Sequence, residues 1–340
     1  MMIVKKIPIL QGFPALETVK YLSNTKNELS EYNPIFYDIE TTGLSRYTAF
    51  VYLIGAVRFE ENQWMLYQWM GEDENEEALV LQEFASFLTN ADCTIQYNGN
   101  RFDQPFLEER YRKHKMDTPF KEILSLDLYQ LLKPCQSLFK LSKMKQPDLE
   151  NFVGIHNRKY CDGGQCIRLY KTFMKKDPEA ANIVMGHNEE DLLGLGTIFS
   201  LLAYKKLYDG EYHPKQCVIL EQELKIVIEL SAAAPVNVSC GNSDFYLSVN
   251  GYEARMLVHL KEGKLRQYYR NYKDYEFIPG EDTAMPKSIT RYMDKSLKIA
   301  TTPQTCYTWF NCDEDFLNNE KKQMQYLTHT LPFFLDNLNK

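Results

Sequence analysis

The stretch PIFYDIETTGLSRYTAFVYLIGAVRFEENQWMLYQWM, residues 34–70, decides the fold of this chain. It contains three apolar runs rich in β-branched and aromatic residues, PIFYDIE, FVYLIGAVRF and QWMLYQWM. Turn-prone TTGLSR and a short polar EEN separate these runs, and such short connections favour antiparallel neighbours. The sequence therefore predicts a sheet that begins with three antiparallel strands.

The segments that follow alternate between helix and strand patterns. Apolar residues between Leu79 and Leu88 recur at helical spacing after an acidic segment, and CTIQYN predicts a fourth strand. Asp103 and Pro105 then occupy positions typical of a helix N-cap and first turn. From residue 127 to residue 206 the pattern is mainly helical. This order predicts an α/β domain with helices flanking a mixed sheet.

The character of the chain changes between Tyr208 and Pro214. Asp209, Gly210 and Pro214 interrupt the helical pattern, and alternating runs such as LKIVIEL, FYLSV and ARMLVHL begin. We therefore divide the chain into an N-terminal extension (1–30), an α/β domain (31–208) and a β-rich α+β C-terminal domain (209–340). The final stretch predicts an amphipathic closing helix.

Composition limits the classes of protein to consider. The 340 residues are 44% hydrophobic and 25% charged, which excludes a disordered or collagen-like chain and favours two domains. The formal charge of -7 provides no global basic field to attract nucleic acid, so a phosphate partner needs a local patch or a metal. The N-terminus lacks a signal-peptide pattern, and the run 230–243 is too short and polar for a membrane span. We expect a cytoplasmic protein without a membrane anchor.

Eight cysteines are spread thinly along the chain. Cys161 and Cys166 lie close together, but no second Cys/His pair has the spacing of a zinc site. We therefore expect reduced thiols rather than a disulfide framework, and ordinary loop thiols at these two positions.

Asp38 and Glu40 are the first residues whose spacing indicates chemistry. They lie two apart on a predicted strand, so both carboxylates point to the same face of the sheet. Two charges about 4 Å apart repel by about 4 kcal/mol at an effective dielectric constant near 20. A partly buried pair therefore needs a proton or a cation, although a solvated strand face would also explain an Asp-x-Glu pattern.

Three further polar residues could have either a functional role or a purely structural one. Asp103 follows the fourth strand at the start of a helix, where capping is the simpler explanation. His187 and Asp191 stand four apart and so share one face of a predicted helix, which an exposed polar face would equally explain. Each residue by itself favours the simpler explanation.

In combination, these residues resemble a known constellation. Asp-x-Glu on the first strand, Asp after the fourth strand and His-x-x-x-Asp on a late helix resemble the DEDD superfamily of 3'-5' exonucleases, which has a ribonuclease-H-like fold. The region from about Phe36 to Leu207 is more closely similar to the YprB-type ribonuclease-H-like family, through DIETTGL, YNGNRFDQPFL, LENFVGI and HNEEDLLGL. The resemblance covers half of the chain.

The resemblance implies the roles of the site residues. Asp38, Glu40, Asp103 and Asp191 would be the metal-binding carboxylates, and His187 would be the general base. Phosphodiester hydrolysis must activate water and neutralise charge, which two divalent ions about 3.5–4 Å apart achieve. Carboxylate oxygens suit Mg²⁺ or Mn²⁺ better than Zn²⁺. We expect Asp38 to bridge the two ions.

One feature departs from the superfamily pattern. Its usual variants place His five residues before the last Asp, or Tyr four before it, whereas His187 stands four before Asp191. The ligand assignment is therefore stronger than the assignment of the base.

Other polar segments have two interpretations each. Asp127 either orients the site or, as we favour, caps a helix. Phosphate binding or a solvated helix face explains two basic groups: Lys140, Lys143 and Lys145, and Arg168, Lys171, Lys175 and Lys176. The segment KLRQYYRNYKDYEF combines rings with positive charge, but sheet packing is favoured over base stacking.

The sequence thus predicts a metal-dependent nuclease, and the resemblance implies a 3'-5' exonuclease acting on the ends of single-stranded DNA or RNA. The alternative is a catalytically weak ribonuclease-H-like module that binds nucleic acid. A structural cation site in a scaffold protein is the third interpretation. The oligomeric state and the role of the C-terminal domain do not follow from the sequence.

Overall fold

The computed structural model describes residues 2–24, 32–156, 158–160, 163–174 and 177–338. By its internal contacts the chain divides into two units. The first comprises Met1–Lys133 and Lys143–Ser200, and the second comprises Pro134–Ser142 and Leu201–Lys340. The domain limits inferred from sequence remain predictions.

The first unit contains a mixed sheet of six strands. The strands are β1 (Ile3–Ile9), β2 (Pro34–Thr41), β3 (Val51–Glu60), β4 (Gln63–Met70), β5 (Cys93–Gln96) and β6 (Leu124–Asp127). Their order across the sheet is β1-β4-β3-β2-β5-β6. Strands β2, β3 and β4 pair antiparallel, as predicted, whereas β5 and β6 run parallel to β2. The predicted α/β class with a mixed sheet is confirmed.

Strand β1 lies in the segment that the sequence analysis set apart as an extension. It pairs antiparallel with β4, from Ile3 opposite Met70 to Ile9 opposite Trp64. Its alternating burial is typical of a strand with one face against a core and one face in water. Residues 3–9 therefore contribute an edge strand to the sheet.

Helices cover the sheet of the first unit. They are α1 (Leu16–Ser23), α2 (Glu77–Phe87), α3 (Asp103–Lys113), α4 (Leu128–Leu132), α5 (Gln146–Phe152), α6 (Gly163–Phe173) and α7 (Pro178–Phe199). Strand β2 is central and almost wholly buried, with Tyr37 and Ile39 in a core that includes Phe84 and Phe106. A strand covered on both faces reads as a nearly continuous apolar run, so its two carboxylates are exceptions that need an explanation.

A buried ion pair joins helices α2 and α3. Glu77 accepts hydrogen bonds from Arg110 Nε at 2.7 Å and Nη2 at 2.5 Å, and from the backbone nitrogen of Val51 at 2.8 Å. Arg110 Nη1 also donates to the carbonyl of Arg46 at 3.4 Å. The pair therefore anchors the loop that connects β2 to β3.

The second unit is rich in antiparallel strands, as predicted. Strands β7 (Tyr212–Leu220), β8 (Glu223–Gly241) and β9 (Phe245–His259) form one sheet. The remaining strands are β10 (Lys264–Tyr268), β11 (Tyr275–Ile278), β12 (Thr283–Pro286), β13 (Ile299–Ala300) and β14 (Tyr307–Asn311). Its helices are α8 (Leu202–Asp209), α9 (Lys287–Thr290), α10 (Glu314–Leu317) and the predicted closing helix α11 (Glu320–Asp336).

The tyrosine-rich segment of the second unit is engaged in packing. Tyr268 is buried and stacks on Phe333 with ring centroids 3.6 Å apart. Arg270 donates to Asp336 Oδ2 at 3.2 Å. These contacts agree with the favoured interpretation of the segment as sheet surface.

No helix among the described ranges is both long and apolar enough to cross a bilayer. Cys161, Lys175 and Lys176 lie outside the described residues. Cys166 does not fit the expected loop thiol, because it is a fully buried residue of helix α6. That expectation was therefore wrong for Cys166.

Candidate active site

Strand β2 presents Asp38 and Glu40 on one face of the sheet, while Tyr37 and Ile39 point into the core on the other. This arrangement follows from the period of two in an extended strand. Glu40 is buried and Asp38 is half-buried. The pair is therefore not a solvated strand face.

An amide chain holds Asp38 in place. Gln68 Nε2 donates to Asn188 Oδ1 at 2.8 Å, and Asn188 Nδ2 donates to Asp38 Oδ2 at 2.8 Å. Gly55, which lies opposite Asp38 in the neighbouring strand, makes this possible, because a Cβ there would stand 2.0 Å from Asn188 Oδ1. The missing side chain lets helix α7 approach the sheet at the level of the carboxylates.

Glu40 is held by two different side chains. Tyr52 donates its hydroxyl hydrogen to Glu40 Oε2 at 3.3 Å, and His187 Nε2 lies 3.4 Å from Glu40 Oε1. The two oxygens of this carboxylate therefore face different neighbours.

Helix α7 brings the remaining pair to the same place. His187 Nε2 lies 3.2 Å from Asp191 Oδ2, as expected for residues four apart on one helical face. One oxygen each from Asp38, Glu40 and Asp191 lies within 4.8 Å of the others. Three carboxylates that are far apart in sequence thus converge on one point.

Asp103 has a different position from the one predicted. It is the first residue of helix α3, the N-cap is Phe102, and no side chain caps the helix there. Asp103 is buried and close enough to Asp38 and Asp191 to interact electrostatically with both. It does not belong to the group of oxygens within 4.8 Å, so the four predicted ligands form a cluster of three with one neighbour.

An arginine adds positive charge to the cluster. Arg158 Nη1 donates to Asp191 Oδ1, and the same guanidinium donates to Glu150 from Nε at 2.8 Å and from Nη2 at 2.6 Å. Glu150 is buried in helix α5 and packs against Gly194, where a Cβ would stand 1.9 Å from its Oε1. Glu150 therefore orients Arg158, and Arg158 orients Asp191.

The two residues that follow Arg158 pack on helix α7, which also carries Asp191. The backbone nitrogens of Lys159 and Tyr160 donate to Glu190 at 2.7 Å and 3.1 Å. The ring of Tyr160 covers Gly186, the position five residues before Asp191. The helix thus carries no side chain at the five-residue spacing, and His187 occupies the next position.

Burial and mutual repulsion perturb the acids of the site. Burial, and then repulsion from Asp191 and Asp103, raise the pKa of Asp38 well above its ordinary value, and the Asn188 amide opposes this shift. The same two causes raise the pKa of Glu40 to about 8. Burial raises the pKa of Asp103 to about 7, and it also raises the pKa of Asp191, which His187 and Arg158 counteract. Without a cation, the cluster retains protons near neutral pH.

These shifts predict a pH-dependent stability that a divalent ion removes. A carboxyl whose pKa is raised in the folded state stabilises the fold below its unfolded pKa, and this contribution is lost as the pH rises through the folded pKa. For Glu40 that window runs from its ordinary pKa of 4.5 to about 8. We expect the Tm in EDTA to fall across this window, and Mg²⁺ or Mn²⁺ to raise it more at pH 8 than at pH 5.

Calorimetry of the wild type and of Glu40→Gln, with and without the ion, tests this. The variant has one fewer titrating carboxyl, so we expect a weaker fall in Tm with pH. A metal-induced shift in Tm that is equal at both ends of the window would contradict the prediction.

Asp127 has the structural role that the sequence favoured. Its carboxylate caps helix α4 by accepting from the backbone nitrogens of Tyr129 at 3.0 Å and Gln130 at 3.4 Å. It also accepts from the nitrogens of Asn98 and Asn100. Asp127 therefore shapes the loop that leads from β5 to Asp103.

Several residues that complete the site were not predicted from the sequence. Asn188 lies inside the HNEED motif, and Gly55, in a strand interior, signals close backbone approach. The salt bridges from Arg158 to Glu150 and Asp191 span 8 and 33 positions and have no periodic signature. Only spatial proximity reveals these partners.

One family model matches most of the first unit of this chain. Residues 35–203 match the model of the family RNase_H_2, described as RNase_H superfamily. No curated protein matches the chain. A solved structure of the family B DNA polymerase from the hyperthermophilic archaeon Pyrobaculum calidifontis is similar with a TM-score of 0.41 and 16% sequence identity. That match covers 52% of this chain and 25% of the polymerase.

Proposed function

We propose that residues 35–203, which match the RNase_H superfamily model, form a metal-dependent 3'-5' exonuclease of the YprB type. Its substrate would be an end of single-stranded DNA or RNA, and it would hydrolyse phosphodiester bonds with two divalent ions. The convergence of Asp38, Glu40 and Asp191 within 4.8 Å is the observation that supports this best.

Electrostatics explain why such a cluster calls for a cation. Burial disfavours the charged form of each carboxyl, and each neighbour makes the next deprotonation harder. The raised pKa of Glu40, about 8, expresses both effects. A divalent ion offsets the repulsion and lets all three acids ionise at neutral pH.

The donor set suits a hard cation at this point. Three carboxylates offer oxygen ligands only, which Mg²⁺ and Mn²⁺ accept readily. Asp38, Glu40 and Asp191 would hold one ion, and Asp103 together with Asp38 would hold the second. The separate position of Asp103 is consistent with a role on a different ion.

When bound, the two ions would supply the charge that stabilises the attacking and leaving oxygens of the phosphodiester. The chain's own groups keep the ligands in place. Asn188 directs Asp38 and Tyr52 directs Glu40, while Arg158 restrains Asp191. His187 Nε2 lies 3.4 Å from Glu40 and 3.2 Å from Asp191, and imidazole is the side chain most often used as a general base, so we assign this role to His187.

A nuclease assay with purified full-length protein tests the proposal. Single-stranded DNA or RNA labelled at its 5' end is incubated with Mg²⁺ or Mn²⁺, and products are resolved over time. A ladder that shortens stepwise from the 3' end, and that Asp191→Asn abolishes, is the expected result. Cleavage that EDTA does not stop, or that Asp191→Asn does not reduce, would overturn the proposal.

The second candidate is a ribonuclease-H-like module that binds nucleic acid with weak turnover. The position of His187 favours it, because Nε2 is engaged by both Glu40 and Asp191. Metal-dependent binding of a labelled strand without product formation would support this candidate instead.

His187→Ala is expected to lower the rate by about 10²–10⁴-fold if His187 is the base. The variant should also lose the limb of the pH–rate profile that reports deprotonation of the base, while Mn²⁺ still stabilises the fold. His156→Ala is the matched control, because His156 is exposed and lies outside the site. An unaltered pH–rate profile in His187→Ala would exclude His187 as the base.

A further inference from the structure

Cys166 lies beside Glu40 and His187, although no step of the proposed reaction uses a thiol. Its Sγ, one ring nitrogen of His187 and one oxygen of Glu40 all lie within 4.8 Å of one another. All three residues are buried, and Cys166 is fully enclosed. Thiolate, imidazole and carboxylate are the three ligand types that zinc uses in proteins.

We propose that Cys166, His187 and Glu40 form a zinc site that overlaps the magnesium or manganese site at Glu40. A water molecule or an oxygen of Asp191 would complete four ligands. Zinc binding stands on these residues alone, whereas its effect on catalysis rests on the proposed nuclease function.

The distances fit one tetrahedral ion. Ligand nitrogen and oxygen atoms that are each about 2.0–2.1 Å from zinc lie about 3.3–3.4 Å apart, and sulfur lies about 3.5–3.6 Å from either. His187 Nε2 and Glu40 Oε1 are already 3.4 Å apart. The thiol therefore needs to approach by about 1.3 Å at most from the 4.8 Å limit.

The surroundings orient the ligands in the manner of a metal site. Tyr52 holds Glu40 Oε2, which leaves Oε1 facing His187. The Tyr52 ring is itself fixed by stacking on Tyr170 at 3.9 Å between centroids and 9° between planes. Hydrogen bonds of this kind to a ligand's second oxygen are typical of protein metal centres.

His187 also has unused capacity for a ligand. Its side chain is only 7% exposed, and its Nδ1 is buried without a hydrogen-bond partner among the described residues. Nδ1 points away from Nε2 in the ring, so the zinc site would use Nε2, which lies 3.4 Å from Glu40 Oε1. Nε2 has a lone pair for a metal ion when the ring proton is on Nδ1.

Zinc binding would release protons and would inhibit the proposed nuclease. The Cys166 thiol proton passes to solvent as the sulfur–zinc bond forms, Glu40 likewise gives up any proton that it holds, and nothing is oxidised or reduced. His187 and Glu40 would then be occupied as ligands. Zinc would therefore inhibit the proposed nuclease even when Mg²⁺ or Mn²⁺ is abundant, and a thiol–imidazole pair would prefer zinc over either.

Cobalt substitution tests the site without any activity assay. Co²⁺ is added to the reduced, metal-free, full-length protein, and the absorption spectrum is recorded. Ligation by Cys166 predicts a thiolate-to-cobalt charge-transfer band in the near ultraviolet and intense tetrahedral bands in the visible, which Zn²⁺ abolishes. Absence of the charge-transfer band in the folded wild type would overturn the proposal, and this measurement needs no variant.

Cys166→Ser identifies the thiol that is responsible. Loss of a residue that merely supports a ligand costs about 10–100-fold in metal affinity, so loss of the thiolate itself should weaken zinc binding by at least about 100-fold. Cys217→Ser is the matched control, because Cys217 is half-buried in the second unit. Equal zinc affinity in the two variants, measured by chelator competition, would overturn the assignment.

Activity separates this inference from the proposed function. Micromolar Zn²⁺ should inhibit the wild type in millimolar Mn²⁺ but leave Cys166→Ser active. If the protein proves to have no nuclease activity, the cobalt spectrum still decides the zinc site. If the nuclease is active and zinc inhibits both proteins equally, the overlapping site is wrong while the nuclease proposal stands.

Discussion

Replacing Asp38 with asparagine is expected to lower metal-dependent cleavage by about 10³-fold or more while the fold remains intact. The proposed bridging ligand would be lost, and metal ions contribute several kcal/mol of charge stabilisation to the transition state, with each 1.36 kcal/mol worth a factor of ten. The new amide retains the hydrogen-bonding capacity that Asn188 uses at Asp38 Oδ2. The substitution therefore removes a charged ligand but keeps the hydrogen bond from Asn188.

The same variant should gain or keep stability when no metal is present. Asp38 is one of the acids that repel Glu40 and Asp191, and burial raises the pKa of Asp38 well above its ordinary value. Removing that carboxyl relieves repulsion in the apo-protein, so the Tm in EDTA should be equal to or above that of the wild type. The stabilisation by Mn²⁺ should largely disappear.

Asp117→Asn is the control for this pair of measurements. It makes the same chemical change at an exposed residue of the first unit, outside the site. We expect wild-type activity and wild-type stabilisation by Mn²⁺. Full activity in Asp38→Asn with Mg²⁺ or Mn²⁺ would contradict the proposed role of Asp38.

Breaking the buried pair between Glu77 and Arg110 should have the largest effect on stability. Both side chains are almost completely buried, and Arg110→Met leaves the Glu77 carboxylate without its main counter-charge. Loss of one partner of a buried pair costs about 3–5 kcal/mol, mostly from the uncompensated charge that remains. The free energy of unfolding of the first unit should fall by that amount in urea titrations.

Two further variants establish the cause. Arg112→Met makes the same exchange on helix α3, where Arg112 pairs with Glu109 at the surface, and should have little effect. Adding Glu77→Gln to Arg110→Met removes the stranded charge and should recover part of the loss. If Arg110→Met is as harmless as Arg112→Met, the pair does not anchor the loop between β2 and β3.

The periodicity of strands and helices was enough to predict two parts of the site. The alternation of strand β2 places Asp38 and Glu40 on one face, and the four-residue spacing places His187 beside Asp191. Both inferences depend only on backbone periods, and the structure confirms both. The antiparallel start of the sheet follows from the same kind of evidence.

Predictions of a residue's surroundings in the folded protein were less accurate. Asp103 was expected at an N-cap but is the first residue of its helix, with its buried carboxyl near the other acids. Cys166 was expected in a loop but lies fully buried in helix α6, next to His187 and Glu40. A residue's environment depends on which distant elements pack against it.

The sequence by itself thus determined the order of the elements from β2 to α3, the face shared by Asp38 and Glu40 and the face shared by His187 and Asp191, because backbone periodicity is a local property. Tertiary structure alone decided that Gln68 supports Asn188 across 120 positions, that Arg158 joins Glu150 to Asp191, and that a thiol lies beside Glu40. The first of these contacts arises where helix α7 packs on the sheet at Gly55. They depend on the shapes and charges of whole elements, which no short stretch of sequence contains.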